Sequence, residues 1–151
     1  MICPDVNVLV YAHRIDSVDH SRYAAWLAGL ANQTEPFAVS VLSLAGFVRV
    51  VTSPRIFNEP TPVGTALAFC DRLTERRQAR LVAPGPQHHE IFSELCRATS
   101  AAGKLVADAQ HAAVAIEHGC TWVTADADFA RFPGLRWHHP LQYGPGPRRG
   151  H

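Results

Sequence analysis

What most constrains this sequence is an alternation. Short apolar runs, too brief to be helices, are separated by longer stretches with helical periodicity. Ile2 to Asp5, Phe37 to Val39, Arg80 to Val82, Thr121 to Thr124 and Leu135 to Trp137 read as strands. Between them, Asn7 to His13 reads as helix, as does Ser21 to Leu30, where Tyr23, Trp26, Leu27 and Leu30 recur at three- and four-residue steps. Ser40 is placed to cap a helix carrying Leu44, Phe47, Val48 and Val51. Thr61 and Pro62 give a cap-and-first-position signal for a helix to about Glu75. Helices are also expected from His89 to about Ala98 and from Ala107 to His118, the latter stopped by Gly119. Parallel strands need long crossovers, which helices supply. The fold expected is therefore α/β, with three layers and a central parallel sheet covered by helices on both faces. In such sheets ligands bind beyond the carboxyl ends of the strands.

The chain of 151 residues suits one domain, expected over 1–141, with the Gly- and Pro-rich residues 142–151 as a flexible tail. No apolar run is long enough to span a membrane. The opening lacks the pattern of a signal peptide, so a cytoplasmic protein is expected. A net charge of +1 does not by itself advertise nucleic-acid binding. Almost every basic residue is Arg, Lys104 being the single Lys, and Arg suits phosphate contacts and base stacking. Cys3, Cys70, Cys96 and Cys120 show no C-x-x-C spacing and read as buried free thiols. The adjacent pairs His88–His89 and His138–His139 diverge on a regular element, and His111 and His118 stand two turns apart, so no zinc site is expected.

The acids are more informative. Asp5 sits inside an apolar stretch at a strand end, Asp126 and Asp128 follow TWVT, and Asp108 opens the Ala-rich helix. Central parallel strands would bring all four to one edge of the sheet. Carboxylates about 4 Å apart repel by roughly 1 to 4 kcal/mol, so either their pKa values rise or a divalent cation joins them. Hard oxygen ligands suit Mg²⁺ or Mn²⁺, and metal-assisted phosphodiester hydrolysis is the natural chemistry. Each acid has a structural alternative: Asp5 and Asp126 as helix caps, Asp108 as a first-turn acid, Asp128 as a surface acid. Asn7 caps the first helix or orients Asp5, and Thr124 hydrogen-bonds a carboxylate or simply suits a strand end. Phosphotransfer domains also gather Asp at strand ends, but no suitably placed Lys is visible in the pattern.

MICPDVNVLVYA, LVADAQHAAVAIEHG and WVTADADF together resemble the PIN-domain nucleases, most closely the VapC-type toxins of bacterial toxin–antitoxin pairs. The resemblance implies a Mg²⁺- or Mn²⁺-dependent endoribonuclease acting on structured RNA such as tRNA or rRNA. It implies Asp5, Asp108 and Asp126 as catalytic metal ligands, with Asp128 beside them and Asn7 and Thr124 in support. It also implies a homodimer and a cognate antitoxin. The family usually carries an acid, commonly Glu, in the helix after the second strand. Here Ser40 to Val51 contains none, and Val41 or Gly46 stands in its place. Three Asp with waters can still hold one ion. The alternative is a weakened PIN domain that binds antitoxin or RNA without cleavage.

Overall fold

The computed structural model describes residues 1–142. The chain runs β1 (Ile2–Pro4), α1 (Val6–His13), α2 (His20–Asn32), β2 (Phe37–Ser40), α3 (Val41–Val51) and α4 (Val63–Thr74). It continues through β3 (Ala79–Val82), α5 (His88–Thr99), α6 (Lys104–Glu117) and β4 (Thr121–Val123) to a short 3-10 helix (Ala127–Arg131) and β5 (Trp137–His138). All paired strands are parallel. β4 lies between β1 and β5, with Ile2 opposite Thr121 and Trp122 opposite Trp137. β2 pairs with β3, Phe37 opposite Ala79. β1 lies alongside β2, so the two ladders form one layer in the order β3-β2-β1-β4-β5.

Side chains alternate across this layer with the period of two that a strand imposes. Phe37, Val39 and Val123 enter a core with Val8, Leu9, Leu27, Leu30, Phe47 and Leu73, drawn from α1 to α4. Ala38, Cys3 and Trp122 enter a second core with Leu95, Ala112 and Ala113 of α5 and α6, closed by Phe129. Helices cover both faces over the inner strands, while Arg80 and Leu81 of the edge strand β3 are exposed.

Several boundaries differ from expectation for physical reasons. The Ala-rich helix begins at Lys104, one turn before Ala107, because Leu105 packs on the second core and extends the helical face. Asp108 therefore lies in the second turn of α6 and does not open it. Thr61 does not cap α4, which starts at Val63 without a side-chain cap. Its hydroxyl is instead bonded to His13 Nε2 at 3.1 Å and accepts from Arg14 Nη1 at 3.2 Å. The last strand is Trp137–His138, one residue beyond the expected run, since Trp122 and Val123 of β4 set its register. Of the tail expected over 142–151, all but Gln142 lies outside the described residues. Cys3, Cys70 and Cys120 are buried free thiols, and Cys96 is half-buried.

Candidate active site

The parallel register brings the carboxyl ends of β1 and β4 together. The Asp5 N–H donates to the Val123 carbonyl at 2.9 Å, joining the two strand ends. The Asp5 side chain then turns inward and is buried. Its Oδ1 accepts from the Val6 N–H at 2.6 Å, a cap on α1. Its Oδ2 accepts from the Thr124 hydroxyl at 2.7 Å and from Asn7 Nδ2 at 3.3 Å. The capping reading of Asp5 is thus met by Oδ1, while Oδ2 is taken up by Thr124 and Asn7.

Asn7 and Thr124 complete a network between the two ends. Asn7 Nδ2 also donates to Thr124 Oγ1 at 3.2 Å, and Asn7 Oδ1 accepts from the Ala125 N–H at 3.2 Å. Thr124 is fully buried, and its hydroxyl accepts from the Asp126 N–H at 3.0 Å. The backbone carrying Asp126 is therefore fixed by the hydroxyl that holds Asp5. Asp126 caps the 3-10 helix, its Oδ1 accepting from the Asp128 N–H at 2.9 Å. Asp108 reaches the same place from α6.

Between Asp108 and Asp126 stands an ammonium group. Lys104 Nζ donates to Asp108 Oδ2 at 2.9 Å and to Asp126 Oδ2 at 2.8 Å. The two carboxylate oxygens thus lie within two hydrogen-bond lengths of each other, with a cation between them. Burial pushes the Asp5 carboxyl up to about 6, opposed by the Thr124 and Val6 hydrogen bonds and assisted by the charges of Asp108 and Asp126. Burial also pushes Asp126 up, but the bonds from Lys104 and the Asp128 N–H outweigh it and hold this carboxyl below the usual range. The same two carboxylates hold the Lys104 ammonium well above the usual lysine range.

These groups line one open cleft of about 440 Å³, which also takes in Tyr11, Gly46, Arg49, Ile56, Phe57 and His111. Asp128 is exposed and is not among the lining residues. Of the two positions considered for the absent acid, Gly46 lines the cleft and Val41 does not. A Cβ on Gly46 would stand 2.7 Å from Val6 Cγ2, so the Val6 methyl fills the space a side chain there would need. Glu90 and Glu94, on α5, are exposed and do not line the cleft.

Lys104, Arg49 and His111 are cleft residues that sequence reasoning missed. For Lys104 a signal existed: it precedes Asp108 by four residues, the spacing of a facing helical pair. The site suits a hard divalent cation by its donor chemistry, three carboxylates with a cation already between two of them. Among the described residues no three His, Cys, Asp or Glu side chains stand close enough together in this arrangement to hold a metal ion, and Lys104 occupies the space between Asp108 and Asp126. Water or substrate oxygens would complete the coordination.

The family model of the PIN domain matches residues 2–135. Ribonuclease VapC43 of Mycobacterium tuberculosis is 47% identical over 141 residues, covering 93% of this chain and 96% of its own. Ribonuclease VapC25 of the same organism is 39% identical over 140 residues, covering 93% and 99%. The fold is similar to that in the crystal structure of VapBC2 from Rickettsia felis bound to a promoter DNA fragment, with a TM-score of 0.67 at 21% identity over 92% of this chain and 98% of that one. It is also similar to VapC20 of Mycobacterium tuberculosis, described as a Sarcin-Ricin loop cleaving toxin, with a TM-score of 0.63 at 16% identity over 90% and 99%. With its acids gathered at the ends of β1 and β4 and on α6, the chain belongs to the PIN-domain family, in its VapC group.

Proposed function

We propose that this protein is a Mg²⁺- or Mn²⁺-dependent endoribonuclease, the toxin of a toxin–antitoxin pair. The observation that carries the proposal is the convergence of Asp108 and Asp126, bridged by the Lys104 ammonium, with the buried Asp5 in one open cleft. Asp5, Asp108 and Asp126 are the residues to hold a divalent ion. Such an ion, when bound, activates water and neutralises charge on a phosphoryl oxygen. The chain supplies the rest. Thr124 and Asn7 fix one oxygen of Asp5, and the same hydroxyl anchors the backbone of Asp126. Arg49, exposed at the cleft, gives a guanidinium for the RNA backbone, and Tyr11 an aromatic edge. Hydrolysis at phosphorus leaves a 5′-phosphate and a 3′-hydroxyl.

RNA is the proposed substrate, supported by the ribonuclease names of the relatives, and structured RNA such as tRNA or rRNA is the class proposed within it. A cognate antitoxin, a homodimeric state and a cytoplasmic site of action belong to the same proposal. Among the described residues no helix is long and apolar enough to cross a membrane.

Calorimetric titration with Mn²⁺, paired with an RNA-cleavage assay, tests the reading. Wild type is expected to bind Mn²⁺ saturably and to cut RNA in an EDTA-sensitive way, and Asp108→Asn to lose both. Cleavage undiminished in Asp108→Asn, or unaffected by EDTA, overturns it. Gly46 favours a second reading, a domain that holds RNA or antitoxin without cutting. Metal-dependent turnover excludes that reading.

A further inference from the structure

Lys104 differs from its two partners in exposure. Its side chain is 68% exposed, against 12% for Asp108 and 26% for Asp126. The carboxylates are fixed from below by α6 and by the 3-10 helix, whereas the ammonium reaches over them from the solvent side on a flexible stem. The anchor of that stem is one helical turn before Asp108, on the same face of α6. Anything entering the cleft from solvent meets Lys104 before it meets the acids. A divalent cation, by contrast, needs the two Oδ2 atoms that Lys104 now holds.

These facts bear on the charge balance of the site. Family members that carry an acid in the helix after the second strand have one more negative charge to attract and share among cations. This chain has Gly46 there, with Val6 filling the space. It has fewer oxygens for a divalent ion and a positive charge of its own already in place. One ion on three carboxylates leaves the approaching phosphate, also an anion, with less neutralisation than a richer site provides. A tethered ammonium released at that moment supplies the missing positive charge.

We propose that Lys104 is a phosphate-positioning residue that works by exchange: its ammonium rests on Asp108 and Asp126 in the free protein and moves to an RNA phosphate oxygen when a divalent cation takes those carboxylates. The proposal rests on the metal-dependent ribonuclease reading above. It makes the Lys104 contact with RNA conditional on metal, which a permanent surface contact is not.

The test uses the full chain as wild type, Lys104→Met and Lys104→Arg. Mn²⁺ binding is measured by calorimetry without RNA. Affinity for a fluorescein-labelled single-stranded RNA whose 3′ bridging oxygens are replaced by methylene, which keeps each phosphorus charge but cannot be hydrolysed to a 3′-hydroxyl, is measured by anisotropy across a salt series, in EDTA and in saturating Mn²⁺. Removing a competing ammonium is expected to tighten Mn²⁺ binding by about fivefold in Lys104→Met, the scale of two partly exposed ion pairs. In EDTA the three proteins should share one salt slope. In Mn²⁺ the slope of Lys104→Met should be shallower than wild type by about 0.7, the value of one phosphate contact on a single strand. Lys104→Arg should retain the wild-type slope. Slopes that coincide in Mn²⁺ overturn the proposal while leaving the metal site standing. So does a difference of equal size in EDTA and in Mn²⁺, which makes Lys104 a constitutive RNA contact. If neither wild type nor Lys104→Met binds Mn²⁺ saturably, the metal-dependent reading itself falls and the exchange falls with it.

Discussion

Replacing Thr124 with Val tests the network under the acids without altering its shape. The hydroxyl is fully buried, donates to Asp5 at 2.7 Å, and accepts from Asn7 and from the Asp126 N–H. Losing a hydrogen bond to a charged acceptor costs about 1.5–3 kcal/mol, and an N–H left without its acceptor adds about 1 kcal/mol or more. Thr124→Val is therefore expected to destabilise the metal-free protein by about 3 kcal/mol near neutral pH. The cost should depend on pH, because it falls mainly on the ionised form of Asp5. The Asp5 carboxyl is held at about 6 in the folded protein, above the ordinary Asp value of about 3.9. A raised carboxyl means that the folded state takes up a proton that the unfolded state does not. Stability contributed by Asp5 consequently rises as pH falls through about 6 toward about 4. Below about pH 6 Asp5 is neutral in the folded protein and the Thr124 bond is an ordinary one, so the penalty of Thr124→Val should shrink by about 1 kcal/mol between about pH 8 and about pH 5. Urea unfolding in EDTA at the two pH values measures it. A penalty that is the same at both, or under about 0.5 kcal/mol at either, refutes the assignment of that hydroxyl to an ionised Asp5.

Three further outcomes follow from other parts of the molecule. Gly46→Glu restores the absent acid but drives a Cβ against Val6, and is expected to cost about 1–3 kcal/mol in thermal or urea unfolding, with Val6→Ala recovering much of it. Arg14 is paired with Asp16 through two bonds, donates to the Glu59 carbonyl and to Thr61, and stacks 4.0 Å above Phe57. Arg14→Lys cannot reproduce this set, and should lower stability by about 1 kcal/mol and speed proteolysis within residues 53–62. Burial holds the His111 imidazole below its ordinary pKa, so the stability it supports is present above about 6.5 and lost as pH falls below that. His111→Gln should lessen that acid-induced loss in a pH series of melting temperatures.

The fold was legible because its strands are short, mostly apolar and followed by helices of clear periodicity. That pattern placed Asp5 and Asp126 at strand ends, and parallel pairing then brought them together. Lys104 was not legible as a site residue. Its spacing to Asp108 is that of any surface helical pair, and its reach to Asp126 crosses between elements 22 residues apart in sequence. That the Thr61 hydroxyl is engaged by His13 and Arg14 could not be read either, since a Thr before Pro looks the same whether it caps a helix or binds a neighbouring element. Gly46 and Val41 were interchangeable until α3 was set against α1, where only Gly46 borders the cleft. What the sequence pattern conveys is the position of a residue along its own element. What it omits is the side chain that arrives from another.

The pairing of β1 with β4 has a consequence for the order of synthesis. Asp5 is made long before its partners, since its backbone closes on Val123 and its carboxylate on Thr124. A nascent chain leaves the ribosome N-terminus first, so β1 waits for a partner until more than a hundred further residues have been translated. A polypeptide that stalls or terminates before β4 carries Asp5 and Asp108 but neither Asp126 nor the strand that gathers them. Translation products that end before β4 therefore lack the full set of acids, and the acids are gathered only once β4 has emerged.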